Sequence, residues 1–191
     1  FGEAVKSIPE YLCSGMNMLI SITIPNSVTY IGERTFENCS SLTSLTIPNS
    51  VTNMGDYAFR GCSSLTSIAI PNSVTYIGER TFENCSSLTS INIPNSVKSI
   101  GKGAFEGCVQ LEKLTLGTAV KDIAANAFAG CNRLYHIYCY PTNPPVADQS
   151  SFSNYNVYLH VPCDYKEEYD LDIFWGNFKH IECIESEDVT T

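Results

Sequence analysis

The sequence predicts a repeat solenoid of the α/β class, with a parallel β-sheet on one face, short helical turns on the other and a cap at the C-terminal end. Three observations carry that prediction. The run from Ser21 to Ser44 returns from Ser67 to Ser90 with one change, Ala69 standing where Thr23 stood. Between them a looser copy sets the basic period at 23 residues, within the range in which one supersecondary unit stacks on the next. Apolar residues recur in fixed columns down the chain, as a shared continuous core requires.

The columns define the elements of one coil in order. Leu19, Leu42, Leu65, Leu88, Leu111 and Leu134 open successive units. Ile22, Leu45, Ile68, Ile91, Leu114 and Ile137 follow, and two residues later come Ile24, Ile47, Ile70, Ile93, Leu116 and Cys139. A spacing of two is the period of a strand with one buried face. Pro25, Pro48, Pro71 and Pro94 end that strand by removing a ladder donor. The Asn-Ser that follows, as at Asn26-Ser27, is turn chemistry. Val28, Val51, Val74, Val97 and Val120, then Ile31, Met54, Ile77, Ile100 and Ile123, form a short extended piece. Gly32, Gly55, Gly78 and Gly101 mark a second corner. Phe36, Phe59, Phe82, Phe105 and Phe128 stand three residues before Cys39, Cys62, Cys85, Cys108 and Cys131, which fits one face of a helical turn. Val5, Ile8, Cys13, Met16 and Leu19 are in register with the same columns, so residues 1–18 read as a degenerate first coil of a solenoid spanning 1–139.

Residues 140–191 read as a capping segment with an acidic tail. Tyr-Pro-Thr-Asn-Pro-Pro is a stiff extended linker. Val157, Leu159 and Val161 alternate as one more strand, stopped by Pro162. Asp164 is expected to N-cap a helix running to about Asp170, with Glu167 completing a capping box. Trp175, Phe178 and Ile181 are expected to plug the end of the core, which would otherwise leave an open sheet edge.

Charge narrows the functional classes. The net charge is −9; residues 1–140 carry ten acids and nine bases, while residues 141–191 carry ten acids and two bases. Such a surface argues against nucleic acid as a partner and offers no basic stripe to anionic membranes. No stretch approaches the roughly 20 apolar residues that span a bilayer, so no membrane insertion is expected. No leader is visible at Phe1 and the chain opens inside a degenerate coil, so its start does not report on export.

The repeat unit Leu-x-x-Ile-x-Ile-Pro-x-Ser-Val-x-x-Ile-Gly-x-x-x-Phe-x-x-Cys resembles the BspA-like, or Treponema pallidum-type, leucine-rich repeats. The cap strand from Leu159 to Pro162 and the pair Trp175 and Phe178 also resemble that family's terminal segment. The resemblance implies a secreted or cell-surface protein of bacteria such as Bacteroides, with an adhesion role and no catalytic residues to carry over. Local departures are Cys13 and Met16 in place of Phe and Cys, Gly117 in place of Pro, and Cys139 in place of Ile.

Candidate sites follow from the coil. Equivalent thiols in stacked coils lie about 4.8 Å apart, whereas a disulfide prefers Cβ atoms near 3.8 Å. The cysteine column is therefore expected as small, buried, reduced packing groups. His160, Cys163, His180 and Cys183 form two His-x-x-Cys pairs that could make a zinc site, a Cys163–Cys183 disulfide, or unrelated surface groups. Neither a phosphate loop nor a Ser or Cys nucleophile motif is evident, so no enzyme and no cofactor are expected. Exposed strand positions give Ser21 and Thr23, Ser44 and Thr46, Ser67 and Ala69, Ser90 and Asn92, Lys113 and Thr115, then His136 and Tyr138. The early coils present small uncharged groups, while the later ones add long polar and aromatic residues of the kind that dominate binding. Asn92, Lys113, Thr115, Tyr135, His136 and Tyr138 are thus the expected ligand-binding patch, for a protein or glycan partner that a host would supply. The competing expectation is a spacer or stalk without its own ligand, which the near-identity of alternate repeats favours. A monomer is expected, although the first coil offers an edge for pairing.

Overall fold

The computed structural model describes residues 4–184. Most of the chain winds into a series of coils whose strands pair in parallel with the next coil. On the first face, Ser21–Thr23 pairs with Ser44–Thr46, while Ser90–Ile93, Lys113–Leu116, His136–Cys139, Tyr158–Pro162 and His180–Ile184 form a five-stranded sheet in that order. Registers such as Ser21↔Ser44 and Ser90↔Lys113 are 23 residues apart. They shorten to 22 at His136↔Tyr158 and Tyr158↔His180. On a second face, Ser7–Ile8, Tyr30–Ile31 and Asn53–Met54 pair in sequence, as do Tyr76–Ile77, Ser99–Ile100, Asp122–Ile123 and Val146–Ala147.

The corners form for the expected reasons, and the structure adds their polar bonds. The N–H of Val28 donates to the Pro25 carbonyl at 3.0 Å, closing the first corner, and Val51, Val74 and Val97 repeat the bond. The hydroxyls of Ser27, Ser50 and Ser96 donate to the carbonyls of Val5, Val28 and Val74 one coil back, at 2.6–2.7 Å. Gly32 leaves no room for a side chain, since a Cβ there would sit 2.5 Å from the backbone nitrogen of Glu10.

The third face corrects the expectation of helical turns. In residues 33–39 and their copies the chain forms linked turns, with bonds such as Cys39 N–H to Phe36 carbonyl at 3.1 Å. The N–H groups of Arg34, Phe36 and Asn38 donate instead to the carbonyls of Asp56, Ala58 and Arg60 in the following coil, at 2.7–3.0 Å. Donors committed between coils cannot also close the i to i−4 ring of an α-helix. Arg34 and Asn38 adopt φ of 52° and 58°, which a helix forbids. Among the described residues the α part of the fold is therefore one six-residue α-helix, Lys166–Leu171, outside the coils.

The core lies inside this three-sided coil. The Leu, Val, Ile and Phe columns are buried from coil to coil. Phe36, Phe59, Phe82, Phe105 and Phe128 stack at 5.2–5.4 Å between ring centroids, and Phe152 extends the stack at 5.1 Å. The thiols of the column find acceptors one coil back: Cys62, Cys85, Cys108 and Cys131 donate to the carbonyls of Phe36, Phe59, Phe82 and Phe105 at 3.2–3.3 Å. Burial pushes the Cys39 thiol up to about 11 and those of Cys85 and Cys131 to about 12, against the backbone bonds that lower them. Protonated, bonded thiols at fixed spacing behave as packing groups.

Alternation between coils has a structural cause. Arg60 on the turn face bonds Glu37 in the coil before it at 2.9 Å and Glu83 in the coil after it at 2.5 Å. The Arg34 guanidinium lies 4.5 Å above the Tyr57 ring. One coil supplies Arg and Glu, and the next supplies Tyr and Arg to meet them.

The capping segment continues the sheet and closes the core. Val157, Leu159 and Val161 point inward, Trp175 and Phe178 are buried, and Ile181 is partly buried against them. The last phenyl ring, Phe152, meets Trp175 at 5.9 Å and Phe178 at 5.7 Å, both edge-on. Trp175 Nε1–H donates to the Pro145 carbonyl at 2.7 Å and the Tyr169 hydroxyl to the Pro141 carbonyl at 2.8 Å, so both polar handles are used on the proline-rich linker. Asp164 is not the N-cap expected of it. A 3-10 turn over Cys163–Tyr165 precedes the helix, and its N-cap position falls on Tyr165 with no side-chain bond. A carboxylate does hold the turn after the helix: Asp172 accepts from the N–H groups of Phe174 and Trp175 at 2.8 and 2.9 Å. The acidic tail from residue 185 lies outside the described residues.

Candidate binding face

The exposed side of the five-stranded sheet gathers the aromatic and basic groups of the later coils. Strand alternation turns Lys113, His136 and Tyr158 outward at one level, and Thr115, Tyr138 and His160 at the next. The Lys113 ammonium lies 4.5 Å from the centre of the Tyr138 ring. His160 covers the other side of Tyr138, with centroids 4.5 Å apart and planes at 14°. His136 and Tyr158 approach at 5.4 Å, and Tyr158 and His180 at 4.8 Å. All three histidines of the chain thus fall into one group.

His136 Nδ1 and His160 Nε2 are 3.0 Å apart, while the ring centroids are 5.3 Å apart and the planes differ by 22°. With nitrogens so much closer than centroids, the rings meet edge to edge and share an N–H···N hydrogen bond. Glu182 Oε2 lies 3.6 Å from His160 Nδ1, on the far side of that ring. A proton on Nδ1 facing the carboxylate leaves Nε2 to accept from His136. Desolvation lowers the His160 pKa, Glu182 acts against this, and the charges of His136 and Lys113 lower it further.

The expected patch is partly assembled by this geometry. Lys113, His136 and Tyr138 sit in the row, while Asn92 and Thr115 lie beside it with Lys113 in a shallow groove. Tyr135 is exposed one position before the strand and makes no ring contact among the described residues. Sequence reading passed over Tyr158, His160 and His180 as members. Their signal was present in Tyr158-Leu-His-Val, which matches His136-Ile-Tyr-Cys position by position.

The His-x-x-Cys quartet does not come together. The register sets His160 opposite Glu182 and His180 opposite Tyr158, and among the described residues no three His, Cys, Asp or Glu side chains form a ligand set. Cys163 is half-buried and Cys183 exposed, and neither is in a disulfide. His136 and Cys139 lie on opposite faces of one strand, and burial pushes the Cys139 thiol up to about 12 despite its bond to Tyr169. Among the described residues no helix is long and apolar enough to cross a membrane.

A parallel β-solenoid with leucine-rich columns and an open sheet face defines a leucine-rich-repeat protein. The chain belongs to the family with the BspA type leucine-rich repeat region, whose model matches six copies over residues 6–135. A T. pallidum leucine-rich-repeat protein of known structure is 29% identical, with a TM-score of 0.70 over 87% of this chain and 76% of that one. A leucine-rich cell surface protein from Faecalibacterium prausnitzii A2-165 is 36% identical, with a TM-score of 0.61. That match covers 63% of this chain and only 32% of the other. The pneumococcal vaccine antigen PcpA shares the fold at 21% identity and a TM-score of 0.69, over 87% of this chain and 41% of its own length. The chain therefore spans less than half the length of the latter two. A comparison with curated proteins finds no match.

Proposed function

We propose that this chain is a non-catalytic binding module, secreted or displayed at a bacterial cell surface, that recognises a protein or glycan through the sheet face of its last coils. The observation that carries the reading is the row Lys113, Tyr138, His160, His136, Tyr158 and His180, rigid aromatic and cationic groups on paired strands. Aromatic rings and basic groups held by a scaffold lose little conformational freedom when they bind. The early coils present only Ser, Thr and Ala at these positions, so the chemistry changes where the row begins. The surface location is supported by family membership and by the F. prausnitzii relative, which is described as a cell surface protein.

The test is a screen of the purified chain against extracellular-matrix proteins and mucin-type glycans. A saturable hit that Tyr138→Ala or His160→Ala weakens by about tenfold supports the reading, since a hot-spot truncation costs roughly 1–2 kcal/mol or more. A blank screen, or a hit indifferent to both substitutions, overturns it and leaves the repeat array as a spacer in a larger protein.

A further inference from the structure

Beside the aromatic row, where the strands of the middle coils reach their first corner, the sheet carries a groove of about 660 Å³. Its size falls within the range of small-ligand sites. Asn72, Ser90, Asn92, Asn95, Thr115 and Thr118 bring amides and hydroxyls to it, and Lys113 brings a single positive charge. No carboxylate lines it, although the chain as a whole carries a net charge of −9.

Lys113 has no ion pair among the described residues. Its sequence neighbour Glu112 is taken by Arg133 at 2.6 Å. The ammonium is held over the Tyr138 ring instead, an attraction that positions a cation without neutralising it. The Oδ1 atom of Asn95 accepts from the Thr118 N–H at 2.9 Å, which orients the amide and leaves its two N–H donors unused by that bond. Ile70, Ile91 and Ile93 face the core, so apart from the half-buried Tyr140 the groups that the groove offers a ligand are mostly polar. Amides and hydroxyls around one unneutralised cation match a ligand dense in hydroxyl groups that carries one negative charge.

We propose that this groove binds an acidic saccharide, with its carboxylate or sulfate on Lys113 Nζ and its ring hydroxyls on the Asn92, Asn95 and Thr115 side chains. The inference rests on the sheet-face reading and names the ligand class for that face. The experiment titrates the full chain with sialyllactose, a galacturonate oligomer, a sulfated disaccharide and lactose, at low and high salt. At least one acidic probe should bind saturably and weaken as salt rises, while lactose does not bind. The carboxylated and sulfated arms tell the two anion sources apart. Lys113→Met should lower the affinity about tenfold, the loss of one charge-assisted contact, and Lys113→Arg should retain most of it. Asn92→Ala should weaken binding without altering the salt dependence. The proposal is overturned if no acidic probe saturates, or if Lys113→Met with an unchanged melting curve binds as the parent does. Failure of the saccharides alongside a protein ligand lost on Tyr138→Ala removes this proposal and leaves the sheet-face reading standing. Silence from saccharides and proteins together removes both.

Discussion

His160 shows how much the role of one side chain depends on neighbours that arrive from three other strands. Its ring is pressed against Tyr138, bonded edge-on to His136 and faced by Glu182, with Lys113 beyond the tyrosine. Burial opposes its charged form more than Glu182 supports it, so its pKa in the fold lies below the ordinary 6.5. The unfolded chain therefore binds a proton here at a higher pH than the folded chain does, and stability from this group falls as pH drops through 6.5. Thermal unfolding followed from pH 7.5 to 5 should show a falling midpoint, and His160→Gln should flatten that fall. An unchanged slope in the variant would mean that other groups set the pH dependence. The same residue marks the limit of sequence reading. Its outward direction follows from Leu159 and Val161 on either side, but its partners depend on registers that shorten from 23 to 22 after His136. No constant period predicts that step, so the row was legible by spacing at Lys113, His136 and Tyr138, and beyond them only through the match of Tyr158-Leu-His-Val to His136-Ile-Tyr-Cys.

At the scale of the coil, the strands, corners and core columns were legible because each rests on a spacing or a backbone restriction that only one element satisfies. The turn face was not, because Phe and Cys three residues apart are brought inward by a helical turn and by linked β-turns alike. What decides between them is where the N–H groups of Arg34, Phe36 and Asn38 go, and they go to the next coil. The cost is two left-handed residues in each turn, the second of which alternates between Asn38, Gly61, Asn84 and Gly107. A Cβ on Gly61 would lie 2.4 Å from Asn38 Oδ1, and one on Gly107 would lie 2.3 Å from Asn84 Oδ1. At Gly130, which follows a glycine, the nearest atom would be 3.4 Å away. An Asn in one coil therefore demands Gly in the next, and together with the Glu37–Arg60–Glu83 pairing this makes the repeating unit two coils long. Near-identity of alternate coils is thus explained by packing, without requiring the chain to be a featureless spacer. Gly61→Ala should destabilise by about 1 kcal/mol or more, from backbone strain and the clash with Asn38. In an Asn38→Gly background the same substitution should cost measurably less, as urea midpoints of the four proteins would show. Strict additivity would remove the steric link between the coils.

Across the whole molecule the sheet is not uniform, and its weakest seam separates the polar coils from the aromatic row. Neither face has a named strand pairing across the coil from Ser67 to Ile70. The only sheet contact on the first face there is an isolated bridge between Thr46 and Ala69. Backbone bonds flanking it are long, 3.5 Å from Thr66 N–H to Thr43 carbonyl and 3.4 Å from Thr89 N–H to Thr66 carbonyl, against 2.8 Å from Glu112 N–H to Thr89 carbonyl. In a solenoid, stability is a sum of coils and the interfaces between them, so a poor interface is where the array should part first. The buried columns and the phenyl stack run through the seam unbroken, with Phe59 and Phe82 5.3 Å apart, which holds the two halves in one body. Beyond the seam, five paired strands and the Trp175 plug anchor the binding face from its C-terminal side. Amide hydrogen exchange on the native protein should therefore show Thr66 and Thr89 exchanging by local opening, faster than Leu114, Leu116 and Ile137 in the five-stranded sheet. Protection in residues 90–161 should approach the limit set by global unfolding, while residues 21–70 exchange through a smaller opening. Equal protection on both sides of the seam would show that the coils unfold as a single cooperative unit, with the phenyl stack rather than the sheet setting their coupling.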